Sequence, residues 1–229
     1  MVENYLFIPD TQDPFSHPDA LPFCRYLKRH YKISDENIIH AGDEEDQYHG
    51  SLYKKNPDAL HTPTSELKEV RERFKAWYSE FPKMKLCESN HGGRWLKKAL
   101  DADIPSELLR KHRDVLEAPE GWVWQKRWII EGSKRRFMAE HGDDWGGQQP
   151  HVQAAMHNGI STIMGHHHSL ADIRFLVTAM QQMWACVSGS LIDFDQYAFE
   201  YAKKNKLKPV SGATVILNGG AIPMFHPLF

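Results

Sequence analysis

Short apolar runs alternate along this chain with longer stretches of helical period. Residues 4–9 read as a buried strand. Residues 19–31 read as a helix in which Leu21, Cys24, Leu27 and Lys28 make an apolar stripe with a basic flank. Residues 37–41 (NIIHA) predict a second buried strand, ended by Gly42-Asp43. A strand–helix–strand opening points to parallel strands in a layered α/β fold. Thr64 or Ser65 is expected to cap the next helix, where Leu67, Val70, Phe74, Trp77, Tyr78 and Phe81 recur on one face until Pro82 stops it. Residues 83–87 predict a strand running into Ser89-Asn90-His91-Gly92-Gly93, and helical material broken by Pro105 and Pro119 fills 94–118.

Residues 122–125, 128–130 and 136–140 read as strands separated by tight turns. Trp122, Trp124 and Trp128 are expected to alternate on a hairpin, in a core or sheet-face role rather than as base-stacking groups. A helix near 148–158 precedes a strand at 160–164 that stops at Gly165-His166-His167-His168. Strands are predicted near 173–178, 183–188 and 213–218, with a helix near 194–204. No repeat, low-complexity segment or linker divides the chain, so 1–229 is read as one domain.

Charge narrows the function classes. With 28 Lys+Arg against 30 Asp+Glu among 229 residues, the formal charge is −2, which argues against a surface built to wrap duplex DNA. The clusters Lys97-Lys98, Arg110-Lys111-His112-Arg113 and Lys134-Arg135-Arg136 read as solvated helix faces or turns. Cys24, Cys87 and Cys186 are far apart and form no CxxC pair, as expected in a reducing compartment. The first residues lack a signal-peptide pattern, and no segment approaches the ~20 apolar residues of a membrane span, so a soluble cytoplasmic protein is expected.

The fourteen histidines are nearly as many as the fifteen glycines. Histidine is the commonest metal ligand and the natural acid–base side chain near neutral pH, so position decides what they do. Five predicted strands end in donor residues: Asp10-Thr11-Gln12, Gly42-Asp43-Glu44-Glu45-Asp46, Asn90-His91, His141-Gly142-Asp143 and Gly165-His166-His167-His168. Ligands of open α/β sheets bind where such carboxyl-end loops converge. Oxygen and nitrogen donors without a thiolate suit Mn, Fe or Zn. In extended backbone, residues i and i+2 point the same way, so Asp10 with Gln12, and His166 with His168, are expected to face one site.

This order of motifs, D-x-Q, G-D-x-x-D, N-H, H-G and G-H-x-H, resembles the calcineurin-like metallophosphoesterase superfamily, most closely its compact bacterial and bacteriophage members. Ser188-Gly189-Ser190 is similar to a Gly-Ser turn found downstream in that family. The resemblance implies a four-layer α/β/β/α sandwich of two mixed β-sheets flanked by helices, and a pair of divalent metal ions. Mn2+ is the foremost candidate, with Fe, Zn or Mg as alternatives. It implies that Asp10, Gln12, Asp43 and His168 hold the first ion, and Asp43, Asn90, His141 and His166 the second, with Asp43 bridging. His91 would protonate the leaving oxygen, Asp46 would orient it, and the metals would acidify a bridging water. Arg94 reads either as a phosphate clamp or as a surface arginine at a helix start. Gln12 stands where the family usually has His, Ser89 replaces a usual Gly and Gly92 a usual acid. His167 is expected to point away from the metals.

The activity implied is phosphoester hydrolysis. A phosphodiesterase acting on a nucleotide or single-stranded nucleic acid is favoured, because the loop at 49–63 and Tyr48 before it bring together Tyr48, Tyr53, Lys54, Lys55 and His61. A phosphomonoesterase, and a non-catalytic binding module on the same fold, are the alternatives. The partner expected is a phosphoester substrate rather than a membrane.

Overall fold

A computed structural model describes residues 3–51, 55, 59, 61–196 and 206–229. In chain order the first half comprises β1 (Tyr5–Ile8), α1 (Ala20–His30), β2 (Ile38–His40), α2 (Pro63–Glu80), β3 (Met84–Cys87), α3 (Arg94–Asp101), α4 (His112–Leu116) and β4 (Trp122–Gln125). The second half comprises β5 (Arg127–Glu131), β6 (Arg136–Glu140), α5 (Pro150–Asn158), β7 (Ser161–Met164), β8 (Ala171–Val177), β9 (Gln182–Ser188), β10 (Gly212–Leu217) and β11 (Ile222–Pro227).

Every residue of β1 is buried because both of its faces are covered. Leu6 and Ile8 pack with Cys24 and Leu27 of α1 and with Val70, Phe74 and Trp77 of α2. Tyr5 and Phe7 point the other way and meet Phe137, Ile163 and Trp184 of a second sheet. The middle of that sheet's outer face, over β7 and β9, is covered by α5, whose Ala154 packs with Met164 and Val187. The layers therefore run helix, sheet, sheet, helix, as expected. One sheet has strand order β11-β10-β1-β2-β3-β4 and the other β5-β6-β7-β9-β8. Both are mixed: β1–β2, β2–β3 and β3–β4 are parallel beside antiparallel β1–β10, and β6–β7 and β7–β9 are parallel beside antiparallel β5–β6.

The structure departs from the sequence reading in several places. Thr62, not Thr64 or Ser65, caps α2; its hydroxyl accepts the Ser65 N–H while the Ser65 hydroxyl accepts the Thr62 N–H, a reciprocal capping box. The tryptophan hairpin does not form. β4 pairs with β3 in the first sheet and β5 with β6 in the second, so the chain changes sheets between Gln125 and Arg127. Trp122 is a core residue, as expected; Trp124 and Trp128 are half-buried and donate their indole N–H groups to Glu44 and to the Leu86 carbonyl. Strand β11 was not anticipated. The expected helix near 194–204 falls mainly on residues 197–205, outside the described residues, and 194–196 form a turn. Among the described residues no helix is long and apolar enough to cross a membrane.

Candidate metal centre

All five donor segments follow the carboxyl ends of strands β1, β2, β3, β6 and β7 and converge on one end of the sandwich. Two glycines make the approach tight. Gly42 has φ +92°, and a Cβ there would lie 2.5 Å from the Cys87 carbonyl oxygen, so only glycine lets the loop after β2 lie against β3. At Gly165 a Cβ would fall 2.2 Å from Asp10 Oδ1 and 2.7 Å from Ala41 Cβ. The loop after β7 can thus rest directly on the Asp10 carboxylate.

Asp10 is fully buried. Its oxygens accept the His166 N–H at 3.1 and 3.2 Å, and Oδ2 lies 2.9 Å from His168 Nε2. Burial alone would raise its pKa, but the His168 contact and the charges of His168 and His141 hold the carboxyl below its ordinary range. Asp43, with φ +52°, is fixed through its own N–H on Ser89 Oγ and through Oδ1, which accepts the His91 N–H at 3.0 Å. Oδ2 is 3.6 Å from His141 Nε2 and 3.8 Å from His91 Nε2. Against the cost of its burial, these imidazoles hold the Asp43 carboxyl well below the carboxylate range.

Two sets of ligand atoms have the mutual spacing of a metal site, and Asp43 belongs to both. One is Asp43, His141 and His166; the other is Asp10, Asp43 and His168. Gln12 and Asn90 supply an amide oxygen to each neighbourhood. Gln12 Nε2 donates to Asp43 Oδ2 at 3.2 Å, which leaves Gln12 Oε1 buried without a hydrogen-bond partner. Asn90 Oδ1 lies 2.7 Å from His141 Nε2. His141 Nδ1 faces the Ala41 carbonyl at 3.0 Å and must carry the proton in that contact, so Nε2 is the free lone pair. That lone pair meets Asn90 Oδ1, His166 Nδ1 at 3.2 Å and Asp43 Oδ2. His166 Nδ1 donates or accepts according to its tautomer, but Asn90 Oδ1 and Asp43 Oδ2 only accept, so a lone pair facing them needs a positive charge between, supplied by a cation or a proton. The pKa values follow: burial opposes charge on His141 but Asp43 and Asp10 raise it, whereas burial and the His141 charge push His166 down to about 4.

The paired residues converge, but not through strand alternation. Gln12 and His166 both have left-handed backbone, φ +49° and +61°, and His166 and His168 fall in different ligand sets. His167 belongs to neither set; its half-buried ring packs edge-on against His166, and burial lowers its pKa.

His91 is buried beside Asp43, with Nδ1 2.9 Å from Asp46 Oδ1, although off the line of a good hydrogen bond. Arg94 is the first residue of α3, and its side chain lies largely buried against His91. Its Nη2 donates to His91 Nε2 at 2.5 Å and its Nη1 to the Asp46 carbonyl at 2.6 Å. Gln47 and His49, ahead of α2, pack against this corner. Trp95 N–H donates to Gln47 Oε1, Lys98 Nζ to the His49 carbonyl and Lys55 Nζ to the Ser51 carbonyl, while Tyr53 and Lys54 lie outside the described residues.

Several supporting groups were not anticipated. Ser89 Oγ accepts both the Asp43 and Gly92 N–H groups. Glu44 is buried and holds His112 Nε2 and Trp124 Nε1, each at 2.8 Å; burial would raise its pKa, but the His112 contact lowers it. Glu66, buried in the first turn of α2, accepts the Tyr48 N–H at 2.6 Å, and desolvation raises its pKa to about 7. Carboxylates of this kind read as surface charge in sequence, and no local pattern distinguishes them.

No protein-family model and no curated protein sequence matches the chain. Among solved structures it is similar to Yfce, a phosphoesterase from E. coli, over 93% of this chain and 87% of that one, at 14% identity and a TM-score of 0.39. It is also similar to vacuolar protein sorting 29 from Cryptosporidium parvum, over 100% of this chain and 92% of that one, at 11% identity and a TM-score of 0.53. With two mixed sheets between helices, the architecture matches the metallophosphoesterase sandwich fold.

Proposed function

We infer that the chain is a metal-dependent phosphoester hydrolase, acting as a phosphodiesterase on a nucleotide or nucleic-acid phosphoester. The observation that carries this reading is the Asp43 carboxylate, buried and common to two ligand sets, each completed by histidine. The donor set fits two divalent cations: it is rich in oxygen and imidazole, lacks thiolate, and contains a buried amide oxygen, Gln12 Oε1, with no other partner. Asp10, Gln12, Asp43 and His168 would hold one ion, and Asp43, Asn90, His141 and His166 the other. Mn2+ fits the carboxamide-containing set best. Two such ions supply positive charge to the phosphoryl oxygens and make water a usable nucleophile at neutral pH.

The chain's own residues do the rest. His91 is the proton donor to the leaving oxygen, and Asp46, 2.9 Å from Nδ1, holds the ring in its working orientation. Arg94 now covers His91 Nε2. A phosphoryl oxygen would draw the guanidinium away by bidentate pairing and free the Nε2 lone pair to take up from solvent the proton that it gives to the leaving oxygen. Lys55, Trp95 and Lys98 lie at the same corner, and a chain that continues beyond the scissile phosphate favours such a mixture of ring and cations. A panel of aryl phosphate monoesters, aryl diesters, cyclic nucleotides and single-stranded DNA, assayed with Mn2+, tests the reading. Diesters should turn over faster than matched monoesters. A preference for monoesters would overturn the diesterase assignment, and inactivity on every ester would overturn hydrolysis itself.

A further inference from the structure

A cleft of about 520 Å³ opens at the amino end of the second sheet, opposite the metal centre. Its lining includes the first residues of three strands, Arg136 of β6, Ser161 of β7 and Gln182 of β9. Ile129, Ile160 and Met183 give it an apolar portion. The volume lies within the range of small-molecule sites, about 300–1,000 Å³.

Its polar side is cationic and incompletely satisfied. Lys134, Arg135 and Arg136 all line it. Arg136 is paired with Glu131 at 2.9 Å, whereas Lys134 has no ion pair among the described residues. Arg135 donates through Nη1 to the Gln182 carbonyl, yet its Nε is buried without a partner. Asn158 Nδ2, from the last residue of α5, is a second buried donor without one. Native proteins rarely leave such donors unpaired, and both belong to residues that line the cleft; closed to solvent as they stand, they would meet a ligand's acceptor oxygens after a side-chain turn. The turn that carries the cations is already fixed: Lys134 and Arg135 N–H groups donate to the Gly219 carbonyl at 2.9 and 2.8 Å, and Ser133 N–H to Glu3 at 2.7 Å. An anion would therefore bind without first ordering a loop.

We propose that this cleft is a second ligand site, distinct from the metal centre, for a phosphorylated small molecule of nucleoside monophosphate size. The phosphate lies on Lys134, Arg135 and Asn158, and the body of the ligand lies against Ile129, Ile160 and Met183. The site has a route to the metal centre. β6 begins at Arg136 and is followed by His141; β7 begins at Ser161 and is followed soon after by His166. The two ends are on the order of 16 Å apart along extended strands, so a ligand in the cleft bears on the same strands that position two of the proposed metal ligands.

Calorimetric titration of the full chain with AMP, in Mn2+, tests this, together with 8-azido-AMP photolabelling and peptide mapping. The wild type should show a saturable site whose label maps to residues 129–138 or 158–160. Lys134→Gln with Arg135→Gln should weaken it about tenfold or more, as loss of charge-assisted contacts does. Asn158→Asp, which places a like charge beside the phosphate, should do the same, and Asp43→Asn should leave it unchanged. Adenosine should not bind, while inorganic phosphate should bind more weakly than AMP. Melting curves identify any variant that fails to fold. No saturable binding, label confined to the metal-centre loops, or affinity lost in Asp43→Asn but kept in both cleft variants would overturn the proposal.

Discussion

Replacing Gly165 by Ala probes how closely the loop after β7 is fitted to the metal centre. The added Cβ would sit 2.2 Å from Asp10 Oδ1 and 2.7 Å from Ala41 Cβ. Carbon and oxygen in van der Waals contact stand more than 3 Å apart, so a shift of about 1 Å is required. Neither side yields easily. Asp10 is held by the His166 N–H and by His168, and Gly165 by its own N–H on the His141 carbonyl at 3.0 Å. Overpacking of this kind destabilises by about 1–3 kcal/mol. At roughly 2–4 °C per kcal/mol for a chain of this size, the melting temperature without metal should fall by about 2–12 °C. The functional loss should be larger, because a misplacement of about 1 Å costs on the order of 100-fold in rate. Melting curves in chelator, Mn2+ titration and diester turnover give the three readouts. Gly146→Ala is the control, since nothing lies within 4 Å of a Cβ at that position. If Gly165→Ala melts lower yet binds Mn2+ and turns over like wild type, Asp10 is not a ligand.

Other expectations follow from the same geometry. His91→Ala should keep metal but lose about 10²–10⁴-fold in rate, most severely for poor leaving groups, in a series of aryl diesters; equal losses across the series would remove His91 as the acid. Gln12→Leu removes a buried, unpartnered oxygen, so Mn2+ affinity should fall while stability in chelator holds or rises; titration and melting together check the opposite signs. Glu66 has its pKa raised from 4.5 to about 7, so its contribution is fully present below the unfolded pKa and is lost as pH rises through about 7. Glu66→Gln should therefore stabilise at pH 8 by on the order of 1–3 kcal/mol relative to its effect at pH 5, measured by urea unfolding; an equal effect at both pH values would contradict the burial argument.

A layered α/β fold and most elements were legible in the sequence because the central strands are covered on two faces, which leaves short apolar runs between amphipathic helices, while the four-layer order came only with the resemblance that the donor motifs carry. Sheet membership was less legible. The tryptophan pattern at 122–128 is what a hairpin would show, and only pairing with β3 or β6 reveals that the chain crosses between sheets. Strand β11, IPMFHP, carries prolines at both Pro223 and Pro227, which an edge strand tolerates but a local pattern counts against. The donor residues of the site could be read because polar groups at strand ends are chemically distinctive. Their supports could not. Gly165 is recognisable only through what a Cβ would strike, and Glu44, Glu66 and Ser89 act through residues distant in sequence. The cluster Lys134-Arg135-Arg136 is the exposed turn that it reads as, and it also borders a cleft, which no local pattern announces.

The central claim is that one buried carboxylate serves two cations. Metal content and Mn2+ stoichiometry, measured alongside diester turnover, test it most directly. Wild type should bind two ions per chain, His168→Ala should retain one, and Asp43→Asn should lose high-affinity binding of both together with turnover. Wild-type protein that binds no divalent cation, or Asp43→Asn that keeps two ions and full activity, would contradict the account.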